Sequence, residues 1–518
     1  MKPVLLRKIA LAGMLPLALG QCTRTEHARI SRARLAGPLE GGSVAVEFDV
    51  QWSHSFRTDD NWDAAWVIVK YRTDGPWRHA TLSTAPRDAE VRRDGGIAAT
   101  VEPSADGRGV FLYRTDAGEG PVRWRDARVQ WSYAQDGVGD GSDVAIMVVG
   151  VEMVYVPAGP FVVGDGERGE VRGHFHQTDG AEPFRVESED AVVLGGRAPG
   201  GANSNNGYGM HESFPDDFDE NTPVTLPAAF PKGHAAFFVM KYELTQGLYA
   251  AFLGSLDPAQ LRSRNPANAQ RHLRPGRNRY TITTHAPFVA SVPDRPADNL
   301  SWMDAAAFAD WAGLRPMTEW EFEKSGRGSA PATAGEFAWG TTRIHRERYA
   351  LVQINTPQER IGNAGTQAGN AAYAVTSGSG EDCWSCLRGP LRAAAFRTPG
   401  ATKQESGASF YGVMDLSGNL AERVVTVGHP VGRRFDGRHG DGHVGANGNA
   451  AGSEMSHWPG ASGTGSSTQI IGAIGTGFRG GGWNSPEVNL RISDREFAAY
   501  PNNSRQAGHG YRFVRTAR

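Results

Sequence analysis

Two imidazoles and a carboxylate stand together in His439-Gly440-Asp441-Gly442-His443, with His429 upstream. Imidazole with carboxylate can ligate a transition metal or shuttle protons, so His439, Asp441 and His443 are the catalytic candidates. No helix supports the i, i+4 spacing of His439 and His443, and a Gly-rich surface loop with solvated side chains is the competing reading. Cys383 and Cys386, in Cys-Trp-Ser-Cys, can close a small disulfide in an oxidising compartment or remain two loop thiols. A redox site at that spacing needs a strand-to-helix setting, which the Gly-rich flanks do not offer. Zinc would need further ligands nearby, and none stands at a supporting spacing. Asp217-Phe218-Asp219-Glu220-Asn221 alternates oxygens like a calcium loop. Thr222 replaces the glycine on which such a loop turns and the closing Glu is missing, so an acidic surface loop is expected. Glu319, Glu321 and Glu323 could be acid–base carboxylates, but a helix start favours acidic residues anyway.

Positioning these groups falls to a chain of 518 residues, 39% hydrophobic, which is long enough for several domains and a sizeable core. Lys and Arg total 54 against 56 Asp and Glu, so there is no electrostatic case for nucleic acid as a partner. The 66 Gly and 30 Pro favour turns and loops over a helical bundle. Residues 1–21 read as an export signal. Lys2, Arg7 and Lys8 precede an apolar run too short to cross a bilayer, and Ala18-Leu19-Gly20 is a small-x-small cleavage site. Cys22 offers the alternative of a lipid anchor, although Gln21 stands where a small residue is expected. The expected location is the periplasm, the outer membrane as a lipoprotein, or the exterior. Membrane contact is expected only through Cys22.

Residues 22–40 read as a linker. Between 41 and 149, short segments at 44–50, 65–71, 109–114, 129–133 and 144–149 predict an all-β, sandwich-like domain. From 150 to 518 regular structure thins. Thr245 predicts the cap of a helix with Leu248, Tyr249, Phe252 and Leu253 on one face. Ser301 with Asp304, and Thr318 with Glu321, predict two more starts. Residues 165–232 read as a polar insertion. A loop-dominated domain must satisfy its buried carbonyls without ladders, and a bound cation does so.

The motifs along 150–518 resemble those of the formylglycine-generating enzyme (sulfatase-modifying factor) superfamily. Met153–Phe161 is similar to its opening strand, and Lys241-Tyr242-Glu243-Leu244-Thr245 to the segment after it. Asn299–Ala305 and Arg315–Glu323 resemble its two central helices, and Phe337-Ala338-Trp339-Gly340 its Tyr-Pro-Trp-Gly. Gly412–Glu422 is similar to its Gly-Asn-Val-Trp-Glu-Trp segment; Arg479–Trp483 and Gly510–Val514 match the closing signatures. Each motif is short, but eight stand in the family's order.

The resemblance implies a compact, C-type-lectin-like α+β fold with little regular structure and two calcium ions. Carried over residue by residue, one ion would take Asn370, the carbonyl of Ala371, Asp382 and the carbonyl of Trp384, with Asn363 a rival for the first ligand. The other would take Asp415, the carbonyls of Gly418 and Leu420, and Glu422. The residue types agree, because hard cations want closely spaced carboxylate and carbonyl oxygens. The alternative is that Asp415 and Glu422 cap turns, with Glu422 paired to Arg423 or another arginine. The family's enzymes hold copper(I) on two cysteines and oxidise a substrate cysteine with oxygen. Ser485 and Leu490 stand at those two positions here, and a hydroxyl and an alkyl group cannot hold copper(I). Other branches carry a helical iron domain with His-x3-His-x-Glu, which the β-rich region lacks. The expectation is an exported protein with a structural calcium and without copper, whose loops bind an unidentified protein, peptide or glycan without catalysis. The alternative is a metal-dependent oxidoreductase acting on a peptide, a peptide-derived metabolite or a thiol.

Overall fold

The computed structural model describes residues 27–517 other than 94–95, 167–170, 205–209, 270–272, 274, 357–358, 379–386 and 399. The export signal, Cys22, Asp382, Cys383, Trp384 and Cys386 lie outside the described residues. The architecture is mixed, with many short strands and few helices.

Strand Asp63–Arg72 is buried along its length except at Arg72, which explains why its sequence is an unbroken apolar run rather than an alternation. Ala65, Val67 and Val69 face one core with Val46, Phe48, Val50, Leu112, Trp124 and Val129. Ala64, Trp66 and Ile68 face a second core with Met153, Phe238, Phe308 and Trp311. The first core is closed by a four-stranded antiparallel sheet in the order Arg29–Leu35, Val44–Arg57, Gly118–Trp131, Ala89–Arg93. Asp63–Arg72 itself lies in a larger antiparallel sheet. That sheet runs Arg315–Pro316, Phe513–Thr516, Phe237–Met240, Ala145–Val156, Asp63–Arg72, Val110–Arg114, Ala99–Pro103. The domain edge expected at residue 149 therefore falls inside Ala145–Val156. This strand pairs with Asp63–Arg72 on one side and Phe237–Met240 on the other. Trp66 Nε1 also donates to the carbonyl of Ala312 (2.9 Å) across that edge.

The three helices form where their caps predict. Gln246–Gly254 starts at Thr245, whose side chain accepts from Leu248 N. Trp302–Trp311 and Glu319–Arg327 start with reciprocal capping boxes at Ser301/Asp304 and Thr318/Glu321. Capping is only part of the role of the three glutamates in the last helix. Glu321 also pairs with Arg315 (2.7 Å), Glu319 with Arg479 (3.1 Å) and Arg495 (2.7 Å), and Glu323 with Arg327 (3.1 Å) and Arg479 (2.7 Å), all buried. The polar stretch 165–232 carries its own small sheet of Phe175–Gln177, Ala202–Ser204, Val192–Leu194 and Val224–Leu226. Phe175, Leu194, Phe218 and Leu226 sink into the main core, and Asp216 pairs with Arg495 at 2.7 Å. In the acidic segment Asp217 pairs with Arg433, Glu220 with Arg197, and Asp219 Oδ1 accepts from Asn221 N (2.7 Å). No helix among the described residues is long and apolar enough to cross a membrane.

Two buried lysines join the N-terminal strands to the rest, Lys70 through the carbonyls of Trp311 and Gly442 and Lys241 through a pair of carboxylates. Lys241 Nζ donates to Asp63 Oδ2 (2.7 Å), Glu152 Oε1 (2.6 Å) and the carbonyl of His54 (2.9 Å). Burial pushes the Glu152 carboxyl up to about 8 even though Lys241 pulls it down. Lys241→Met would leave two buried carboxylates without their cation. Denaturant unfolding should show a loss of about 3–5 kcal/mol; a loss below about 1 kcal/mol would contradict this account.

Candidate functional site

The loop ahead of strand Ala421–Val425 gathers a group of buried charges in which carboxylates outnumber cations. The strand runs antiparallel to Thr476–Arg479 and parallel to His509–Tyr511, which fixes the loop's exit. Asp415 (φ +62°) and Asn419 (φ +66°) are left-handed without being glycine, a conformation that persists only where the surroundings over-determine it. The bonds that do so are specific. Asp415 Oδ2 accepts from Ala394 N (3.0 Å). Asn419 Oδ1 accepts from Leu391 N (2.8 Å), and its Nδ2 donates to Glu243 Oε2 (2.7 Å). Glu243 Oε1 accepts from Leu420 N (2.8 Å). Glu422 receives Arg512 Nε on both oxygens (2.9 Å each) and Nη2 on Oε1 (2.6 Å). Arg512 spends its other donors on the carbonyls of Met240 and Met414.

Three buried carboxylates thus surround one guanidinium. Burial first, then repulsion from Asp415 and Glu422, holds the Glu243 carboxyl well above the usual range. Burial pushes Asp415 up to about 6 and also raises Glu422, where Arg512 opposes it. A hard cation on Asp415 and the neighbouring carbonyls would neutralise the excess negative charge, and the residue types fit calcium. The partner of Glu422 is Arg512 and not Arg423, whose guanidinium stacks on Phe478 (3.8 Å) and donates to Thr476 Oγ1 (2.8 Å). Three of the roughly four acceptor positions on Glu422 are used by Arg512, so any ion there would share it. Glu243 was missed from sequence. It stands inside Lys241–Thr245, a segment informative from sequence only as a family motif and a helix cap.

The other expected calcium loop is only partly described, because Asp382 and Trp384 lie outside the described residues. Asn370 Oδ1 accepts from Gly365 N (2.8 Å) and Tyr349 Oη (3.1 Å), and its amide donates to the carbonyls of Gly365 and Glu405. The carbonyl of Ala371 accepts from Thr376 Oγ1 (2.9 Å). Asn370 is therefore fully occupied by protein partners. The rival Asn363 pins a turn, accepting from Ala350 N (2.7 Å) and donating to the carbonyl of Arg348 (2.8 Å).

Leu490 is fully buried among Phe337, Trp339, Ile344, Ala371 and Tyr373. Ser485 closes a turn: its Oγ accepts from Gly482 N (2.9 Å).

The three catalytic candidates divide. His439 turns to the C-terminal strand, where its Nε2 accepts from Thr516 N (2.9 Å). Burial, then Arg515 and Arg315, holds its imidazole well below the usual range and so neutral. His443 stays with Asp441, Nδ1 lying 3.3 Å from Oδ1, and is largely exposed. His429 caps the short helix Pro430–Arg433 through Nδ1. The sequence cluster is thus no three-residue site, because successive residues of an extended Gly-rich loop point in different directions.

Asp415 supplies a test with a defined sign. Its folded value of about 6 lies above that of an unfolded aspartate, so the stability from its neutral form is full below pH ~4 and lost as pH rises through 6. Without calcium, Asp415→Asn should therefore gain on the parent by up to ~2–3 kcal/mol between pH 4.5 and 7.5. With saturating calcium the variant should instead melt below the parent at pH 7.5. A melting difference independent of both pH and calcium would refute the assignment.

No curated protein matches this chain. The family model for the sulfatase-modifying factor enzyme 1-like domain matches residues 148–517, a span that takes in Glu243, Asp415, Glu422, Ser485, Leu490 and Arg512. Over most of its length, then, the chain belongs to the sulfatase-modifying factor enzyme family.

Proposed function

We propose that this family member binds or scaffolds and does not oxidise cysteine. It would be an exported protein in which a sandwich-like β region at 41–149 precedes a calcium-stabilised, C-type-lectin-like domain. The observation that carries the reading is the fate of the two cysteine positions. Leu490 is sealed in an aromatic cluster and Ser485 Oγ is committed to a backbone turn, so neither offers a soft donor to a redox metal. The calcium part rests on the anionic excess around Arg512. An unidentified protein, peptide or glycan would meet the long loops, since recognition sits on loops carried by a rigid scaffold.

Metal analysis of the purified full chain should find calcium and neither copper nor iron. Chelation should lower the melting temperature, because an ion bound only by the native state adds about 2.7 kcal/mol at a hundred times its Kd. Ser485→Ala should leave the calcium content unchanged and lower the melting temperature only by the loss of one turn hydrogen bond, about 1 kcal/mol. Tightly held copper with conversion of a peptide cysteine to an aldehyde would end this reading, and stoichiometric iron or copper with thiol or metabolite turnover would establish the oxidoreductase alternative.

A further inference from the structure

We propose that Asp310, Asp441 and Glu454 hold a hard divalent cation where helix Trp302–Trp311 meets the loop that follows strand Ala421–Val425. One carboxylate oxygen from each lies within 4.8 Å of the other two. Asp310 comes from the helix and is fully buried; Asp441 and Glu454 come from the loop and are part-buried.

The local backbone is shaped to bring them together. Asp310 Oδ1 accepts from Asp441 N (3.1 Å) and Oδ2 from Ala451 N (3.1 Å), so two points of the loop are pinned to one carboxylate. The glycines beside Asp441 permit the approach. A Cβ on Gly440 would stand 2.3 Å from Asp310 Cα, and one on Gly442 would stand 2.3 Å from the His79 ring. Gly452 gives Glu454 its room, since a Cβ there would stand 1.9 Å from Oε1. This accounts for the Gly-Asp-Gly spacing that marked the segment in sequence.

Two oxygens at the turn that carries Glu454 are sealed from solvent and have no hydrogen-bond partner. One is Glu454 Oε1. The other is Oγ1 of Thr468, a residue with 0% exposure. Thr468 is held to the same turn, because its carbonyl accepts from Gly452 N (3.0 Å) and Gln469 bridges Ala451. Buried oxygens without donors are costly, and a cation answers several at once.

The neighbouring cation does not neutralise the group. Lys70 Nζ lies 2.9 Å from His79 Nδ1 and donates to the carbonyls of Trp311 (2.5 Å) and Gly442 (2.7 Å), which uses its three N–H bonds. With Asp310, Asp441 and Glu454 all ionised, the three carboxylates outnumber the two cations that act on them, Lys70 and Arg108, and a bound cation would meet the remainder. The donors are all oxygen, which favours magnesium, manganese or calcium over copper. His443 beside Asp441 would orient that ligand from outside the donor set. Ions have a route in, because the Asp441 side chain is 37% exposed.

The test titrates the full chain with Mn²⁺, read by electron paramagnetic resonance. Expected is a bound Mn²⁺ that calcium or magnesium displaces. Asp441→Asn and Glu454→Gln should each weaken it by about tenfold or more, at least the effect of losing an outer-shell partner. Glu422→Gln should leave this Mn²⁺ in place, which separates the site from the loop around Asp415. In the unaltered chain the same ion should broaden the His443 imidazole resonances, a readout that survives if a variant fails to fold. No bound Mn²⁺, binding unchanged in both variants, loss in Glu422→Gln instead, or unbroadened His443 signals would each overturn the proposal.

Discussion

Burying an ionised side chain costs several kcal/mol unless a partner of opposite charge and further hydrogen bonds meet it inside. This structure buries many, and its loops are held by the way they are matched. Arg495 joins Asp216 to Glu319, Arg479 joins Glu319 to Glu323, Arg512 clamps Glu422, and Arg505 clamps Asp304. Most of these pairs link segments more than a hundred residues apart. In a region with few ladders, planar guanidinium groups supply the directional contacts that strands would otherwise provide. Such pairs specify one arrangement more than they add net stability, since removing one partner strands the other.

The matching is uneven, and the uneven places are the informative ones. Around Arg512 three carboxylates share one guanidinium, and around Asp310 three carboxylates outnumber Lys70 and Arg108. Arg495, between Asp216 and Glu319, shows the balanced case: its partners hold it firmly charged and Glu319 ionises below the usual range despite burial. The contrast separates pairs complete in themselves from groups that gain by taking up a cation.

The N-terminal strands belong to this same economy of contacts. Strand Asp63–Arg72 is the boundary of two cores at once, and Asp63 and Lys70 each send polar contacts into the family domain. The ladder from Ala99–Pro103 to Arg315–Pro316 crosses from the strands before the family match into the match itself without a break. The two regions share main-chain hydrogen bonds, two buried lysines and side chains packed on both faces of one sheet.

Local chemistry was readable without coordinates. The caps at Thr245, Ser301 and Thr318 act over three or four residues, so their helices could be placed from spacing alone. The apolar run at 65–69 announced a strand, and eight ordered motifs announced the family. What could not be read were pairings between distant segments. Nothing near Glu422 in the chain names Arg512, nothing near Asp441 names Asp310 or Glu454, and His439 could be separated from His443 only once the loop's path was known. Spacing governs what touches within a turn of backbone. Contacts across ninety or a hundred and thirty residues depend on how whole elements pack, and there burial and charge balance were decided by the tertiary structure.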